Sequence, residues 1–393
     1  MHTPLNALFR TASLLSAAAL ATACGGGGGG SDTPVASNVQ VTVSTPTSSG
    51  GVFSVQAPIA VQAQVTVNGT AASDGTAVAL SLPGGSFAPV APQTRAGTAS
   101  STLTGTTPGP QALTASATVN GTTGTGTQTI YLRPVPAALE LLVPAYFHPS
   151  TNPGWSQMAT SASAVPSVSI TAILNPSNGV FTAADSQTLQ AARNLVNAGG
   201  KVVGYVYTRY GTGTRSLADI KTNIDRYFDL YGSTVVSGIF LDEMASTAGQ
   251  VEFYREIYQY IKARNANLRV IGNPGAIPAA SAYTGVADAL VSFEGTATTF
   301  QGFDPRTSAP WMYTLANTRN AALVHNADTC AAMKTAVQTA ATARYNHGLV
   351  YATDLQYNPT TQVGNPWASL PSYWGALVGT VQAVNAGTAL PSC

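Results

Sequence analysis

Apolar and polar residues alternate with a period of two between residues 38 and 132. Residues 39–43 read Val-Gln-Val-Thr-Val, and residues 61–67 alternate in the same way. This pattern is typical of half-buried antiparallel strands, and Asn68-Gly69 and Asn120-Gly121 are favoured hairpin turns. Four more segments have strand character, at 76–82, 99–104, 111–119 and 127–132. Short strands at this spacing predict a β-sandwich.

From residue 139 onward, short apolar runs alternate with stretches of helical periodicity. The apolar runs predict eight strands, at 139–145, 167–174, 201–207, 236–241, 268–272, 289–293, 321–325 and 348–352. The periodic stretches predict helices at 186–197, 217–231, 250–266 and 328–345. Eight strands with crossovers over about 255 residues match an α/β protein of the (β/α)8 barrel class. A doubly wound open sheet is the alternative, although no Gly-x-Gly-x-x-Gly turn follows the first strand to indicate dinucleotide binding.

The N-terminus has the pattern of an export signal. Arg10 supplies the positive flank, residues 14–20 the apolar stretch, and Ala21-Thr22-Ala23 the small residues before cleavage. The apolar stretch is too short to cross a membrane as a helix. The predicted domain bounds are 1–24 for the signal, 25–37 for a Gly-rich flexible tether, 38–133 for the sandwich and 137–393 for the barrel. Arg133-Pro134-Val135-Pro136 is predicted to be a stiff joint.

The composition indicates which binding partners and which cellular compartment to expect. Charged residues make up 8% of the 393 residues, and 17 basic against 16 acidic residues leave a net charge of +1. No basic stripe is present, so a nucleic-acid partner is not expected. Scarce Lys and Glu beside abundant Gly, Ser, Thr and Ala indicate an exported protein, and we expect a monomer. The four histidines are scattered and neither His-Glu-x-x-His nor Cys-x-x-Cys occurs, so we expect no metal and no cofactor.

Two adjacent acids follow the most apolar of the predicted barrel strands. Ile239, Phe240 and Leu241 are followed directly by Asp242 and Glu243. A buried parallel strand that ends in acids places them at its carboxyl end, where barrel enzymes have their active sites. The alternative is a solvated strand end with two ordinary surface acids. Because acids are scarce in this chain, their adjacency favours the catalytic interpretation.

Polar and aromatic residues follow the other predicted strands as well. They are Tyr146, His148, Asn175, Tyr205, Thr208, Tyr210, Asn273, Glu294, His325 and Asp354. In a barrel the carboxyl ends of all strands meet at one rim, so we expect these side chains to converge. Aromatic rings stack on sugars, and amides and carboxylates bond to sugar hydroxyls. Together with Trp155, the set therefore predicts a sugar-binding site.

Four segments resemble the spherulin-4 family. They read Leu-Val-Pro-Ala-Tyr-Phe-His-Pro at 142–149, Ile-Leu-Asn-Pro-Ser-Asn-Gly at 173–179, Val-Gly-Tyr-Val-Tyr-Thr-Arg-Tyr-Gly at 203–211 and Gly-Ile-Phe-Leu-Asp-Glu at 238–243. The resemblance covers residues 137–393 and implies a (β/α)8 fold. Members with an assigned activity are retaining glycoside hydrolases that cut α-1,4-linked N-acetylgalactosamine in exopolysaccharide. The resemblance places the essential acids at Asp242, Glu243 and Glu294, and it puts His148 where the family often has tyrosine.

Two further resemblances concern the N-terminal part. Leu20-Ala21-Thr22-Ala23-Cys24 resembles a bacterial lipoprotein signal, which implies lipidation of Cys24 and an outer-membrane protein that faces the periplasm or the cell surface. A plain secretory signal with a chance cysteine is the alternative. Asp74-Gly75-Thr76 and Gly97-Thr98-Ala99, each before a predicted strand, resemble bacterial immunoglobulin-like domains of invasin type. We interpret this sandwich as a spacer between the cell surface and the barrel.

The two remaining cysteines, Cys330 and Cys393, are predicted to form a disulfide. With Cys24 lipidated they are the only other two in the chain, and disulfides persist in exported proteins. The bond would tie the C-terminus to the start of the helix after the seventh barrel strand, and would stabilise by roughly 4 kcal/mol in the chain-entropy model. Two separately buried free thiols are the alternative.

The leading functional hypothesis is a secreted, lipid-anchored, retaining endo-glycosidase that acts on a galactosamine-containing exopolysaccharide. Asp242 is the candidate nucleophile or charge stabiliser, and Glu294 the candidate acid/base. Glu243 is expected to orient the substrate, since adjacent side chains of an extended strand point to opposite sides. Substrate assistance by an N-acetyl group stays open. The alternative is a non-catalytic glycan-binding adhesin, while a purely structural surface protein leaves the strand-end pattern unexplained.

The lipid anchor is testable by one substitution. Cys24→Ser removes the thiol that would carry the lipid, so we expect the full-length variant to move from the membrane fraction to the soluble fraction. Cell fractionation with immunodetection measures this, with Cys330→Ser as the control that keeps the anchor. An unchanged distribution of the Cys24 variant would count against lipidation.

Overall fold

The computed structural model describes residues 37–393, so Cys24, the predicted signal at 1–24 and residues 25–36 of the predicted tether lie outside the described residues. Residues 39–133 form nine strands in two sheets. The strands are β1 (Val39–Ser44), β2 (Val52–Ser54), β3 (Pro58–Val67), β4 (Thr70–Ala71), β5 (Val78–Ser81), β6 (Gly85–Ala88), β7 (Thr98–Gly105), β8 (Gly109–Val119) and β9 (Thr122–Arg133). One sheet has the order β1-β3-β7-β6 with β4 beside β3, and the other has the order β2-β9-β8-β5.

The two sheets pack face to face across an apolar core. Leu103 of the first sheet and Leu113 and Ile130 of the second are fully buried in one cluster. The alternating pattern predicts this arrangement, because every second residue of β3, β7 and β8 is buried. The short strands β2, β4 and β6 escape the prediction since two to four residues are too few to show a period. The immunoglobulin-like identity of the sandwich stays a prediction.

Eight parallel strands form a closed barrel, which confirms the predicted fold class and excludes the open sheet. They are β10 (Glu140–Ala145), β11 (Ile170–Leu174), β12 (Lys201–Tyr207), β13 (Val236–Asp242), β14 (Arg269–Gly272), β15 (Ala289–Thr296), β16 (Asn320–His325) and β17 (Leu349–Ala352). Each strand pairs with the next, and β17 pairs back with β10 at Glu140↔Leu349 and Leu141↔Val350. All strand carboxyl ends therefore meet at one rim.

The helices connect these strands and cover the outside of the barrel. They are α1 (Gly154–Ala164), α2 (Ser186–Asn197), α3 (Leu217–Arg226), α4 (Val251–Arg264), α5 (Ala297–Phe300), α6 (Pro305–Ser308), α7 (Cys330–Ala341) and α8 (Trp374–Ala386). The helix predicted at 217–231 ends its α-helical part at Arg226 and continues as a π-helical turn. The sequence prediction missed α1 and α8, as well as the four-residue helices α5 and α6. Helix α1 is rich in Ser and Thr, and α8 is apolar on nearly all sides and contains Gly375 and Gly379, so neither shows a strong amphipathic period.

The sandwich is attached to the barrel by more than the proline-rich joint. Arg133 is buried, and its guanidinium donates to the carbonyl oxygens of Ala341 and Thr342 at the end of α7. The rings of Tyr131 and Tyr313 lie 5.2 Å apart across the same boundary. These contacts hold the sandwich against one side of the barrel, beyond what a spacer at the end of a stiff joint requires.

The chain end is closed by a disulfide between Cys330 and Cys393, whose Cα atoms are 5.9 Å apart. This confirms the predicted pairing, and the alternative of two free thiols is wrong. The bond joins the first residue of α7 to the last residue of the chain. No helix within residues 37–393 combines the length and the apolar character needed to cross a membrane.

The close approach of β13 and β14 depends on Gly238. A Cβ atom built there would lie 2.1 Å from the Arg269 carbonyl oxygen, so Gly238→Ala must push the two strands apart. We expect the unfolding free energy to fall by about 1–3 kcal/mol. Denaturant unfolding followed by circular dichroism measures this. The control is Gly249→Ala, where a Cβ meets no atom within 4 Å and stability should be kept. Equal stability of the two variants would contradict the predicted clash.

Candidate active site

A cleft of about 670 Å³ lies at the carboxyl rim of the barrel. It is lined by Asp242 at the end of β13, by Glu243 directly after it, and by residues of β15 and β16. A short hairpin after β17, in which β18 (Tyr357–Asn358) pairs with β19 (Val363–Gly364), also lines it. The side chains used below are Tyr210, Asp242, Glu243, Asn273, Glu294, His325, Tyr357 and Trp367.

Asp242 is the last residue of β13 and receives two hydrogen bonds. The Tyr205 hydroxyl donates to its Oδ2 at 2.7 Å, and the Asn273 amide donates to its Oδ1 at 2.8 Å. Burial raises the pKa of Asp242 above its usual value, while these two donors act in the opposite direction. Burial and the charge of Asp242 also raise the pKa of Tyr205, so that this phenol stays protonated and remains a donor.

Glu294 reaches the cleft from β15, two strands away around the barrel. The pairing of β15 with β16 shifts by one residue between Val291 and Phe293, so a bulge at Ser292 sets which later side chains face the rim. Burial raises the pKa of Glu294 to about 7, and the nearby charge of Asp242 adds to the rise. Hydrogen bonds from Asn273 and Trp367 lower this pKa by less than burial raises it. Glu294 can therefore hold a proton near neutral pH.

One amide connects the two acids. Nδ2 of Asn273 lies 2.8 Å from Oδ1 of Asp242 and 2.7 Å from Oε2 of Glu294, which bounds the separation of these two oxygens at about 5.5 Å. The Gly275 N–H donates to Oδ1 of Asn273 at 2.9 Å, and this fixes which end of the amide faces the acids. Asn273 is itself buried, so the bridge is held rigidly.

Glu243 differs from the extended geometry that the sequence suggested. Its φ is +49°, in the left-handed region, so the chain turns immediately after Asp242. The expectation that the two acids point to opposite sides of one extended strand is therefore wrong, because Glu243 is not in an extended conformation. Both acids line the cleft. The nearest cation to Glu243 is Arg209, whose Nε is 3.6 Å from its Oε2.

A buried hydrogen-bond network holds this turn. Arg209 and Tyr210 also have left-handed φ angles, of +50° and +56°. The Tyr210 N–H donates to the Glu243 carbonyl oxygen at 2.7 Å, and the buried Thr208 hydroxyl lies 2.8 Å from the same oxygen and 3.0 Å from the Tyr254 hydroxyl. Strained backbone of this kind persists where the surroundings determine it fully. The network places Tyr210, which is 55% exposed, at the mouth of the cleft.

His325 faces the cleft as a neutral acceptor. Its Nδ1 lies 2.6 Å from Oδ1 of Asn326, an oxygen that also accepts from the Tyr357 N–H. Because Oδ1 can only accept, Nδ1 carries the hydrogen and Nε2 keeps its lone pair. Burial lowers the pKa of His325, so the ring is uncharged at neutral pH.

Six of the residues predicted to contact substrate do not line the cleft, and they are Tyr146, His148, Asn175, Tyr205, Thr208 and Asp354. Tyr205 and Thr208 lie beneath it, bonded to Asp242 and to the turn after it. Tyr146 packs edge-on against Tyr205 with ring centroids 5.4 Å apart. His148 is paired with Asp185 at 3.0 Å, near the N-terminus of α2. Asp354 accepts from the backbone and the hydroxyl of Ser372.

The structure also places Asn175 and Trp155. Asn175 follows β11 and precedes a turn in which Ser177, Asn178 and Gly179 have positive φ angles, and it does not line the cleft. Trp155 is 2% exposed and donates to the Phe147 carbonyl oxygen. The expectation that Trp155 stacks on a sugar is wrong, because its ring belongs to the core between α1 and the barrel.

The sequence reasoning missed the wall formed after β17. Tyr357 and Trp367 line the cleft, and the His325 ring lies 5.8 Å from Tyr357 and 6.2 Å from Trp367. The sequence does contain one signal for this wall, which is the length of the connection between β17 and α8. Long loops without a helical period that follow a barrel strand often carry functional residues. Among residues 37–393, no group of three or more His, Cys, Asp or Glu side chains is placed to hold a metal ion.

Comparison with known proteins identifies the barrel. Residues 140–381 match the family described as Spherulin4, spherulation-specific family 4, and the chain belongs to this family. Spherulin-4 of Physarum polycephalum is 34% identical over 157 residues, which span 40% of this chain and 45% of that relative. The match thus covers less than half of the relative's length. The structure of Aspergillus clavatus Sph3 in complex with GalNAc has 23% identity and a TM-score of 0.51, over 62% of this chain and 97% of that chain. At this identity the likeness shows a shared fold.

The bridging amide is testable through the ionisation of Glu294. Asn273→Ala removes a hydrogen bond that lowers the pKa of Glu294, so we expect that pKa to rise above about 7. Carbon-13 NMR of labelled glutamate carboxyls over a pH series measures the change. Asn194→Ala, on the exposed surface of α2, is the matched control and should leave the value unchanged. An unchanged or lower pKa in the Asn273 variant would show that the bridge does not control the acid.

Proposed function

We propose that this member of the Spherulin4 family is a retaining glycoside hydrolase that acts on an amino-sugar polysaccharide. The pair of acids on the shared Asn273 amide carries the proposal. Their facing oxygens are at most about 5.5 Å apart, so both acids can reach one anomeric carbon, as the retaining mechanism requires.

The ionisation states favour one assignment of roles. Asp242 accepts hydrogen bonds from Tyr205 and Asn273, and both donors stabilise its charged form. Glu294 has its pKa raised to about 7, so it can hold a proton near neutral pH and release it during the reaction. Asp242 is therefore the proposed nucleophile and Glu294 the proposed acid/base.

The reaction then proceeds in two balanced steps. In the first, an oxygen of Asp242 bonds to the anomeric carbon while the glycosidic bond breaks, and the Glu294 proton moves to the leaving oxygen. In the second, water attacks the anomeric carbon and gives a proton to Glu294, and the bond to Asp242 breaks.

The proposed substrate is an exopolysaccharide of α-1,4-linked N-acetylgalactosamine and galactosamine, cleaved within the chain. Two observations support it, the family resemblance of the barrel and the GalNAc bound to the Sph3 protein of Aspergillus clavatus. In this proposal the exposed Tyr210 ring stacks on a sugar face, Nε2 of His325 accepts from a sugar hydroxyl, and Glu243 orients the substrate. The cleft is acidic, which disfavours uronic acids.

The proposal extends to the location of the enzyme. The segment from Leu20 to Cys24 supports export and lipid anchoring at the outer membrane, with the barrel in the periplasm or at the cell surface. The disulfide between Cys330 and Cys393 supports an oxidising compartment. The sandwich in this arrangement stands between the anchor and the barrel.

Substitution of the acids tests the mechanism. We expect Asp242→Asn and Glu294→Gln each to lower kcat on α-1,4-galactosamine polymer by at least about 100-fold, because each removes a group that acts in the transition state. Released reducing ends measure the rate, and the size of the first products distinguishes internal from terminal cleavage. Activity of the unmodified enzyme should fall as the pH rises through about 7, since Glu294 must be protonated to act.

Two controls make the assignment decisive. Thermal unfolding should show that both variants fold, and azide should restore activity to only one of them. Glu243→Gln is the matched variant and should lose less activity than the other two. If Glu294→Gln stays active while Glu243→Gln does not, then Glu243 is the acid. Binding of the polymer without any release of sugar by the unmodified chain would favour the adhesin.

A further inference from the structure

A polar groove runs along the side of the barrel to the sandwich. Its upper part is a cavity of about 330 Å³ between α5 and α7. Its lower part is a cavity of about 760 Å³ between the end of α7 and the turn at Thr47–Gly50 of the sandwich. Gln301, Thr335 and Thr339 line both cavities, so the two form one continuous depression, which we call the side groove.

The side groove begins next to the catalytic cleft. Thr296 and Thr299 line the cleft, while Ala297 and Thr298 of the same short segment line the upper cavity. Only the first turn of α5 therefore separates the acids from the groove. From there the groove follows α7, whose twelve residues correspond to about 18 Å.

The chemistry of the groove suits an uncharged, hydroxyl-rich ligand. Its lining consists mainly of hydroxyl, amide and methyl groups. The two charged side chains are used within the protein, since Arg344 donates to the Gln301 carbonyl oxygen and lies over the Tyr345 ring, and Asp328 accepts from Gln356. Gln301 and Ser48 are exposed on opposite walls.

The wall that the sandwich contributes is firmly placed. The turn ends in Gly50 and Gly51, whose φ angles of +63° and +77° lie in the left-handed region. The Gly50 carbonyl oxygen accepts from the Arg306 guanidinium at 2.5 Å, and Arg306 is paired with Asp304. A wall fixed in this way costs little ordering when a ligand binds.

We propose that the side groove is a second binding surface for the polysaccharide, so that the sandwich helps to hold the substrate as well as spacing the barrel from the membrane. The inference rests on the proposed function, because it assigns the groove to the same polymer that enters the cleft. A chain that leaves the cleft past α5 would contact Gln301 and Thr339 of the barrel and then Ser48 of the sandwich.

Two variants of the full chain test the groove, each on one wall. Gln301→Ala removes an amide, and Ser48→Trp fills the lower cavity. We expect each to raise KM for long α-1,4-galactosamine polymer about three- to tenfold, with kcat unchanged. Hydrolysis of short oligosaccharides that occupy the cleft alone should not change. Ser100→Trp, at an exposed position of β7 that does not line the groove, is the matched control and should behave as the unmodified chain.

A binding measurement distinguishes a failure of the side-groove proposal from a failure of the hydrolase proposal. In affinity electrophoresis through gels that contain the polymer, the unmodified chain and the Ser100 variant should be retarded and the two groove variants less so. Equal retardation of all four proteins overturns the groove, whether or not the polymer is cut. Retardation that depends on the groove without any release of sugar overturns the hydrolase and keeps the groove.

Discussion

The carboxyl rim of the barrel depends on one amide nitrogen that serves two carboxyl groups. Two acids whose oxygens lie within about 5.5 Å repel each other when both are charged, and burial makes that charge more costly. Asn273 offsets this by donating to Asp242 and to Glu294, while its own oxygen is held by the Gly275 N–H. Protonation of Glu294 relieves the remaining repulsion between the two acids. Burial and the charge of Asp242 raise the pKa of Glu294 to about 7, which favours this protonation.

The surrounding fold serves to keep that geometry fixed. Three barrel strands deliver the acids and the amide, and their buried apolar residues leave little freedom at the rim. Beneath the acids, the Thr208 and Tyr254 hydroxyls hold the backbone after Asp242 in a turn that non-glycine residues rarely adopt. The packed core thus holds the turn after Asp242 in a strained conformation that the turn would not keep by itself.

The sequence was sufficient where one local property decided the outcome. Strands buried on both faces appear as apolar runs, so all eight barrel strands were predictable, and acids at strand ends pointed to Asp242 and Glu294. It was insufficient where side-chain direction decided. Trp155 and Trp367 look alike in sequence, yet one is buried under α1 and the other lines the cleft. The double role of Asn273 depends on contacts between three strands, which no local pattern records.

The disulfide between Cys330 and Cys393 has a consequence for the order in which the barrel comes apart. It encloses β17, the hairpin that walls the cleft and α8 in one covalent loop, and β17 meets β10 at only two residue pairs. With the bond intact, the eighth strand-helix unit cannot detach without carrying α7 along. Reduction would remove this coupling, so that the segment that carries the wall with Trp367 could open separately from the acids on β13 and β15.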